Sequence, residues 1–84
     1  MFYTYVLRSL KDKQLYTGST NNLRDRFKRH QSEKVLSTSK RGPFELIYYE
    51  CSLNEIDCRK RERFLKSGPG KKYLKNRLKY SLKE

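Results

Sequence analysis

The 84 residues predict an α+β domain, a small antiparallel three-stranded sheet flanked by helices in the order ββαβαα. Three observations predict it. Two aromatic and β-branched runs, FYTYVLRS at 2–9 and QLYTGS at 14–19, are separated by a polar KDK turn, the pattern of a hairpin. Cation-rich segments with apolar residues at helical spacing follow on either side of a third apolar run, FELIYYECS at 44–52. The length leaves room for one core over residues 1–84, burying ~60–65% of the unfolded surface.

Each element has a local cause. Asn21 or Asn22 can cap a helix from about Leu23 to Gln31, because a side-chain amide oxygen satisfies a free first-turn N–H. Residues 32–42 are polar and helix-neutral, and are expected to form a mobile loop. Pro43 opens the third strand, whose run Leu46 to Tyr49 is apolar on both parities, the mark of a strand covered on both faces. Ser52 or Asn54 caps a second helix to about Lys66. SGPG at 67–70 should break it, and KKYLKNRLKYSL at 71–82 forms a third, with Leu74, Leu78 and Leu82 (or Ser81) on one stripe.

The net charge is +12, from 21 Lys and Arg against nine Asp and Glu. Such an excess repels itself in a compact chain and calls for a polyanionic partner, nucleic acid first and an anionic membrane surface second. No apolar run approaches the ~20 residues of a membrane span, no helix has the broad apolar face of a surface-bound one, and the N-terminus lacks a signal-peptide layout. A cytoplasmic protein is expected. Cys51 and Cys58, spaced C-x6-C beside a single histidine, make neither a zinc site nor, in that compartment, a disulfide; two reduced, partly buried thiols are expected.

The first helix poses the chemical question. At ~100° per residue, Leu23, Arg26, Phe27 and His30 fall near 0°, 300°, 40° and 340°, one stripe that must dock on the sheet. An arginine facing inward needs an anion, since an unpaired buried charge costs several kcal/mol. Two readings are open: Arg26 pairs with a strand carboxylate, Glu45 or Glu50, and His30 is a satisfied boundary residue, or both serve chemistry. On the second helix Glu62 is the only acid among Arg59, Lys60, Arg61, Arg63 and Lys66, and it too turns toward an apolar face with Cys58 and Leu65. It either pairs with Lys66 one turn on or holds a divalent cation.

Taken together, Tyr3-Thr4-Tyr5, Tyr16-Thr17-Gly18, Arg26, His30 and Glu62 resemble the GIY-YIG nuclease superfamily, most closely its short stand-alone bacterial members, over nearly the whole chain. TGSTNNL and the tail E-x-x-L-K-S-G-x-G from Glu62 to Gly70 carry that closer likeness. Tyr3 replaces the first motif's glycine and Thr17 an aliphatic residue of the second. The resemblance implies a metal-dependent endonuclease hydrolysing phosphodiester bonds in DNA, structured or damaged nucleic acid included, with one Mg²⁺ or Mn²⁺ held by Glu62. It assigns Tyr5 as general base or water-orienting group, which requires nearby positive charge to lower its pKa from ~10. Arg26 would meet the phosphoryl oxygens, Tyr16 would hydrogen-bond within the site, and His30 would take or relay a proton. Asn76 is the one candidate for a C-terminal asparagine used by some members.

Gly18 matches the glycine ending the second motif and is grouped with the nucleic-acid contacts; from the residues alone it only permits a turn. Phosphate contacts are expected from Lys11, Lys13, Arg24, Lys28, Arg29, Lys40, Arg41 and the run Arg59 to Arg63, with the 32–42 loop and its Ser37, Thr38, Lys40 and Arg41 closing over the strand. Tyr3, Tyr48 and Tyr49 are read as packing residues. A protein partner is a route to targeting, in a chain with no room for a second domain. A non-catalytic binding module, a degenerate nuclease or a ribosome-associated protein, satisfies the charge equally.

Overall fold

The computed structural model describes residues 1–32, 34–35 and 38–83. The order is β1 (Phe2–Ser9), β2 (Leu15–Thr20), α1 (Leu23–Gln31), β3 (Phe44–Ser52), α2 (Glu55–Lys66) and α3 (Gly68–Arg77). The strands form one antiparallel three-stranded sheet, as the sequence predicts, and the structure places β1 in its middle, in the order β2-β1-β3.

The strand covered on both faces is β1, in place of β3. Thr4, Tyr5, Val6 and Leu7 are all buried. Val6 joins Leu65, Leu74 and Leu78 in the core under α2 and α3, while Tyr5 and Leu7 join Phe44 in the core under α1. Thr4 is polar among them because its hydroxyl donates to the Cys58 carbonyl at 3.0 Å, tying the central strand to α2. An edge strand is only half covered, and Tyr49 on β3 is 55% exposed. The run that reads as two-faced has another cause. Tyr5 pairs with Tyr49 and Val6 with Tyr48, but Leu7 pairs with Leu46, so a bulge takes up Ile47. Ile47 and Tyr48 therefore both pack on the α2–α3 side.

Asn22 caps α1 by accepting from the Asp25 amide at 3.1 Å, and Asn54 caps α2 by accepting from Ile56 at 2.8 Å. SGPG ends α2 after Lys66, as expected, but it also opens α3, which starts at Gly68 and not at residue 71. Ser67 ends α2 and caps α3 at once, its hydroxyl donating to Phe64 and accepting from Gly70, and Pro69 occupies the first turn, where its missing N–H costs nothing. Of the expected mobile loop, Ser37 lies outside the described residues, but Thr38 is fully buried and its backbone bonds to Val35 and Arg41. Cys51 is exposed and Cys58 buried, both as thiols. No helix among the described residues is long and apolar enough to cross a membrane.

The junction between α2 and α3 has no room for a methyl group. A Cβ on Gly70 would stand 1.8 Å from the Phe64 carbonyl oxygen, which is backbone and cannot swing away. Alanine would gain ~1 kcal/mol of helix propensity there, less than the cost of separating the helices. Gly70→Ala is expected to lose at least ~2 kcal/mol in urea unfolding, whereas Lys75→Ala, on the exposed side of α3, stays within ~0.5 kcal/mol of the parent.

Candidate active site

The cluster is built around a gap. Tyr5 on β1 pairs directly with Gly18 on β2, and its ring lies across that glycine. A Cβ on Gly18 would come within 2.5 Å of the Tyr5 hydroxyl. The glycine has no left-handed φ and makes no turn; it is needed because the phenol must cross the outer strand to reach the sheet edge. Gly18 is itself buried, which corrects its grouping with the nucleic-acid contacts: it makes room for the phenol.

α1 delivers His30 to the phenol. The ring is fully buried, with Nε2 2.8 Å from the Tyr5 hydroxyl and Nδ1 2.7 Å from Thr38 Oγ1. Thr38 Oγ1 donates to the Val35 carbonyl at 3.4 Å, which leaves its lone pair to accept from Nδ1–H. Nε2 is then the acceptor and the Tyr5 O–H the donor. Tyr16, on the same face of β2, sets its ring 5.1 Å from His30 and 6.4 Å from Tyr5. Of the two readings of His30, the boundary one fails on burial; the residue is an internal member of a hydrogen-bonded chain. Thr38, expected among the loop residues closing over the nucleic-acid strand, is instead fully buried and holds His30; a threonine in a polar loop carries no periodicity that would place it inside.

Burial sets the charge states. It drives the Tyr5 pKa well above the ordinary phenol value, with Tyr16 adding to the rise; Arg26, by charge and hydrogen bond, pulls the other way and loses, and Glu62 adds a smaller upward push. Among the protein's own groups, removal from water therefore outweighs the lowering by Arg26. Burial also lowers His30 to about 4, assisted by Arg26, so the imidazole is neutral near pH 7.

Arg26 does not pair with a strand carboxylate. Glu45 is taken by Arg8, whose Nε donates at 2.6 Å, and Glu50 by Arg61 at 2.7 Å. Arg61 also lies over the Phe64 and Tyr73 rings, at 5.0 and 5.3 Å, so this member of the basic run serves packing. Arg26 instead lines a hollow of about 250 Å³ with Ser19, Thr20 and Arg59. Ser19 and Arg59 also line a neighbouring hollow of about 380 Å³, whose single acid is Glu62 and whose rim carries Arg63 and Lys66.

Glu62 accepts from Ser19 at 2.6 Å on one oxygen and from Lys66 at 2.8 Å on the other. Burial raises its pKa, but those two bonds and the charges of Lys66 and Arg59 outweigh it, so the carboxyl titrates below its usual range. The pairing with Lys66 expected from the spacing is present, and it leaves an ionised carboxylate in a cationic hollow. Among the described residues no three His, Cys, Asp or Glu side chains converge. The donor set is one ionised carboxylate, which suits a Mg²⁺-type ion that keeps most of its shell as water and phosphate.

Arg24, Lys28, Arg29, Lys40, Arg59 and Arg63 are exposed. Arg59 pairs with Glu55 at 2.8 Å. Arg41 is half-buried and its carbonyl accepts from Ser9, so its backbone is structural while its charge still faces outward in part. Asn76 is exposed on α3, outside the hollows that hold Arg26 and Glu62.

The fold is a small α+β domain that gathers a phenol, an imidazole, a guanidinium and a carboxylate about its β1–β2 hairpin. A family model described as the GIY-YIG catalytic domain matches residues 1–79, and the chain belongs to the GIY-YIG family. It is similar to a UPF0213 protein of Pediococcus acidilactici, 44% identical over 81 residues that cover 89% of this chain and 82% of the relative. A UPF0213 protein of Oceanobacillus iheyensis is 39% identical over 74 residues, 87% of this chain and 85% of that one. The solution NMR structure of a UPF0213 protein from Bacillus halodurans superposes with a TM-score of 0.54 at 33% identity, covering 88% of this chain and 82% of its own.

Two outcomes follow. Gly18→Ala should break the Tyr5–His30 hydrogen bond, shifting the His30 ring nitrogens in ¹⁵N NMR spectra while circular dichroism stays near that of the parent. His30 binds a proton more readily unfolded (pKa ~6.5) than folded (about 4), so its contribution is present above ~6.5 and is lost as pH falls toward 4. Urea unfolding should show ~3 kcal/mol lost over that window, beyond the loss seen in His30→Gln.

Proposed function

We propose that this chain is a metal-dependent endonuclease that hydrolyses phosphodiester bonds in DNA. The observation that carries the reading is geometric: the Tyr5 hydroxyl is hydrogen-bonded to a fully buried His30, while Arg26 from α1 and Glu62 from α2 line two hollows that share Ser19 and Arg59. Membership of the GIY-YIG family supports nuclease chemistry, and the net charge of +12 supports a nucleic-acid substrate bound largely through phosphates.

The charge states favour a relay over a free phenolate. Tyr5 donates to Nε2 of His30 at rest. As water attacks phosphorus, its proton passes to the Tyr5 oxygen while the phenolic proton passes to Nε2. No isolated phenolate forms, which matters where burial makes one costly. Thr38 holds the Nδ1–H tautomer that keeps Nε2 open, and the resulting imidazolium lies near incoming phosphate charge. Arg26 meets the non-bridging oxygens, where forked donors suit phosphate. Glu62 would hold Mg²⁺ or Mn²⁺, with Lys66 yielding its place; when bound, the ion supplies Lewis acidity for the leaving oxygen. Tyr16 packs against both partners of the relay and keeps the imidazole edge in place.

The test is nicking of supercoiled plasmid with Mg²⁺ or Mn²⁺. Tyr5→Phe, Arg26→Ala and Glu62→Gln should each lose ~10²-fold or more in rate, with DNA binding retained. Thr38→Val should fall less, by ~10-fold, and Thr38→Ser should restore it. A chelator should stop the parent. The occupied state of both Glu62 oxygens favours one rival, a basic binding module without catalysis. Plasmid left intact by all proteins, yet retarded equally on a gel, would establish that rival.

A further inference from the structure

Tyr3 and Tyr49 stand outside the cluster around Tyr5 and are not packing residues in the ordinary sense. They lie on the sheet face that carries α1, with ring centroids 6.2 Å apart and planes tilted by 59°. The nine-residue α1 covers the sheet around Tyr5, Leu7 and Phe44 and leaves this corner open. Tyr49, at 55% exposed, is the wettest aromatic in the sheet. The corner is a hollow of about 700 Å³ floored by Tyr3, Tyr49 and Leu46 and walled by Phe27.

Two cations frame it. Arg24 and Lys28, one helical turn apart on α1, line the same hollow, and neither belongs to an ion pair among the described residues. Asp25, the acid of α1, is not in the lining. An exposed Tyr49 and a half-buried Tyr3 beside unpaired cations suit a ligand with flat apolar faces and a regular row of anions. A nucleic-acid strand with unpaired bases has both, whereas a duplex hides its base faces inside the stack. A second copy of this chain would set +12 against +12. The position argues the same way. Asn21 lines this hollow and also the one that holds Arg26 and Ser19, so a strand leaving the tyrosines runs on toward Arg26.

We propose that Tyr3 and Tyr49 are a stacking platform for unpaired bases next to the phosphate to be cut, with Arg24 and Lys28 on the strand's backbone. The proposal rests on the nuclease reading for the meaning of "cut", but not for its test. It defines the substrate class as a single strand or an unpaired flap.

The experiment is fluorescence anisotropy in chelator, where no cleavage intervenes, with a labelled single-stranded oligodeoxynucleotide and an abasic strand of the same length. The wild-type protein should bind the base-bearing strand about tenfold more tightly than the abasic one. Tyr3→Ala/Tyr49→Ala should bind both strands alike at the weaker affinity, and Tyr3→Phe/Tyr49→Phe should keep the preference, with thermal melts verifying the fold of each. Equal wild-type affinity for the two strands, or a preference that survives the double alanine change, overturns the proposal. So does a wild-type dimer that the double alanine change dissociates, since a second copy would then fill the corner. Failure of the nuclease reading shows separately, as intact plasmid with the base preference unchanged.

Discussion

A missing side chain organises this protein. Because position 18 is glycine, the phenol of Tyr5 can lie across β2 and bring its hydroxyl to the edge of the sheet. The remaining geometry depends on that crossing. α1 must dock with His30 inward to meet the hydroxyl, Thr38 must enter the core to meet His30, and α2 must be anchored through Cys58 to Thr4 so that Glu62 lies against Ser19. Thr4 and Tyr5 are consecutive residues on opposite faces of the central strand, so one short stretch of β1 positions both halves of the cluster.

The balance of charges there is settled by burial more than by the large positive total. A +12 background pulls a phenol toward ionisation, yet the Tyr5 hydroxyl titrates high because it has lost its water. The same loss keeps His30 uncharged. A neutral donor facing a neutral acceptor suits proton relay better than storage of charge, and the long-range field of the surface is left to hold a strand. Around the cluster the other acids have structural duties: Glu45 and Glu50 fasten Arg8 and Arg61, and Glu55 steadies Arg59. Glu62 faces a hollow lined by Arg59, Arg63 and Lys66, and Glu55 lines the adjoining one with Arg26.

Much of this was legible in the residues. The strands, both asparagine caps and the inward stripe Leu23, Arg26, Phe27, His30 follow from local patterns that a helix or strand repeats whatever surrounds it. Legibility failed where the cause is non-local. Leu46 to Tyr49 reads as a two-faced strand because a bulge is invisible to alternation, and the third helix reads as starting at residue 71 because one serine both ends α2 and begins α3. Of the two readings open for Arg26, the pairing with Glu45 or Glu50 fails, because those acids are nearer to Arg8 and Arg61 in space. Thr38 reads as facing the nucleic-acid strand from its loop and is buried instead, and Tyr49 reads as packed although it is exposed, since aromatic residues are alike in sequence whether a helix covers them or stops short.

By itself the chain determined its element order, its helix caps, its excess of cations and the set of polar side chains that match the GIY-YIG pattern, because these depend on neighbours within a few residues or on composition alone. Only the tertiary structure decided that Tyr5 lies over Gly18, that His30 is held neutral between a phenol and a threonine, and that Tyr49 faces open water beside a half-buried Tyr3. Register, burial and the reach of one helix across a sheet fix those outcomes. Each is a relation between segments far apart in the chain, and no window along the sequence contains both partners.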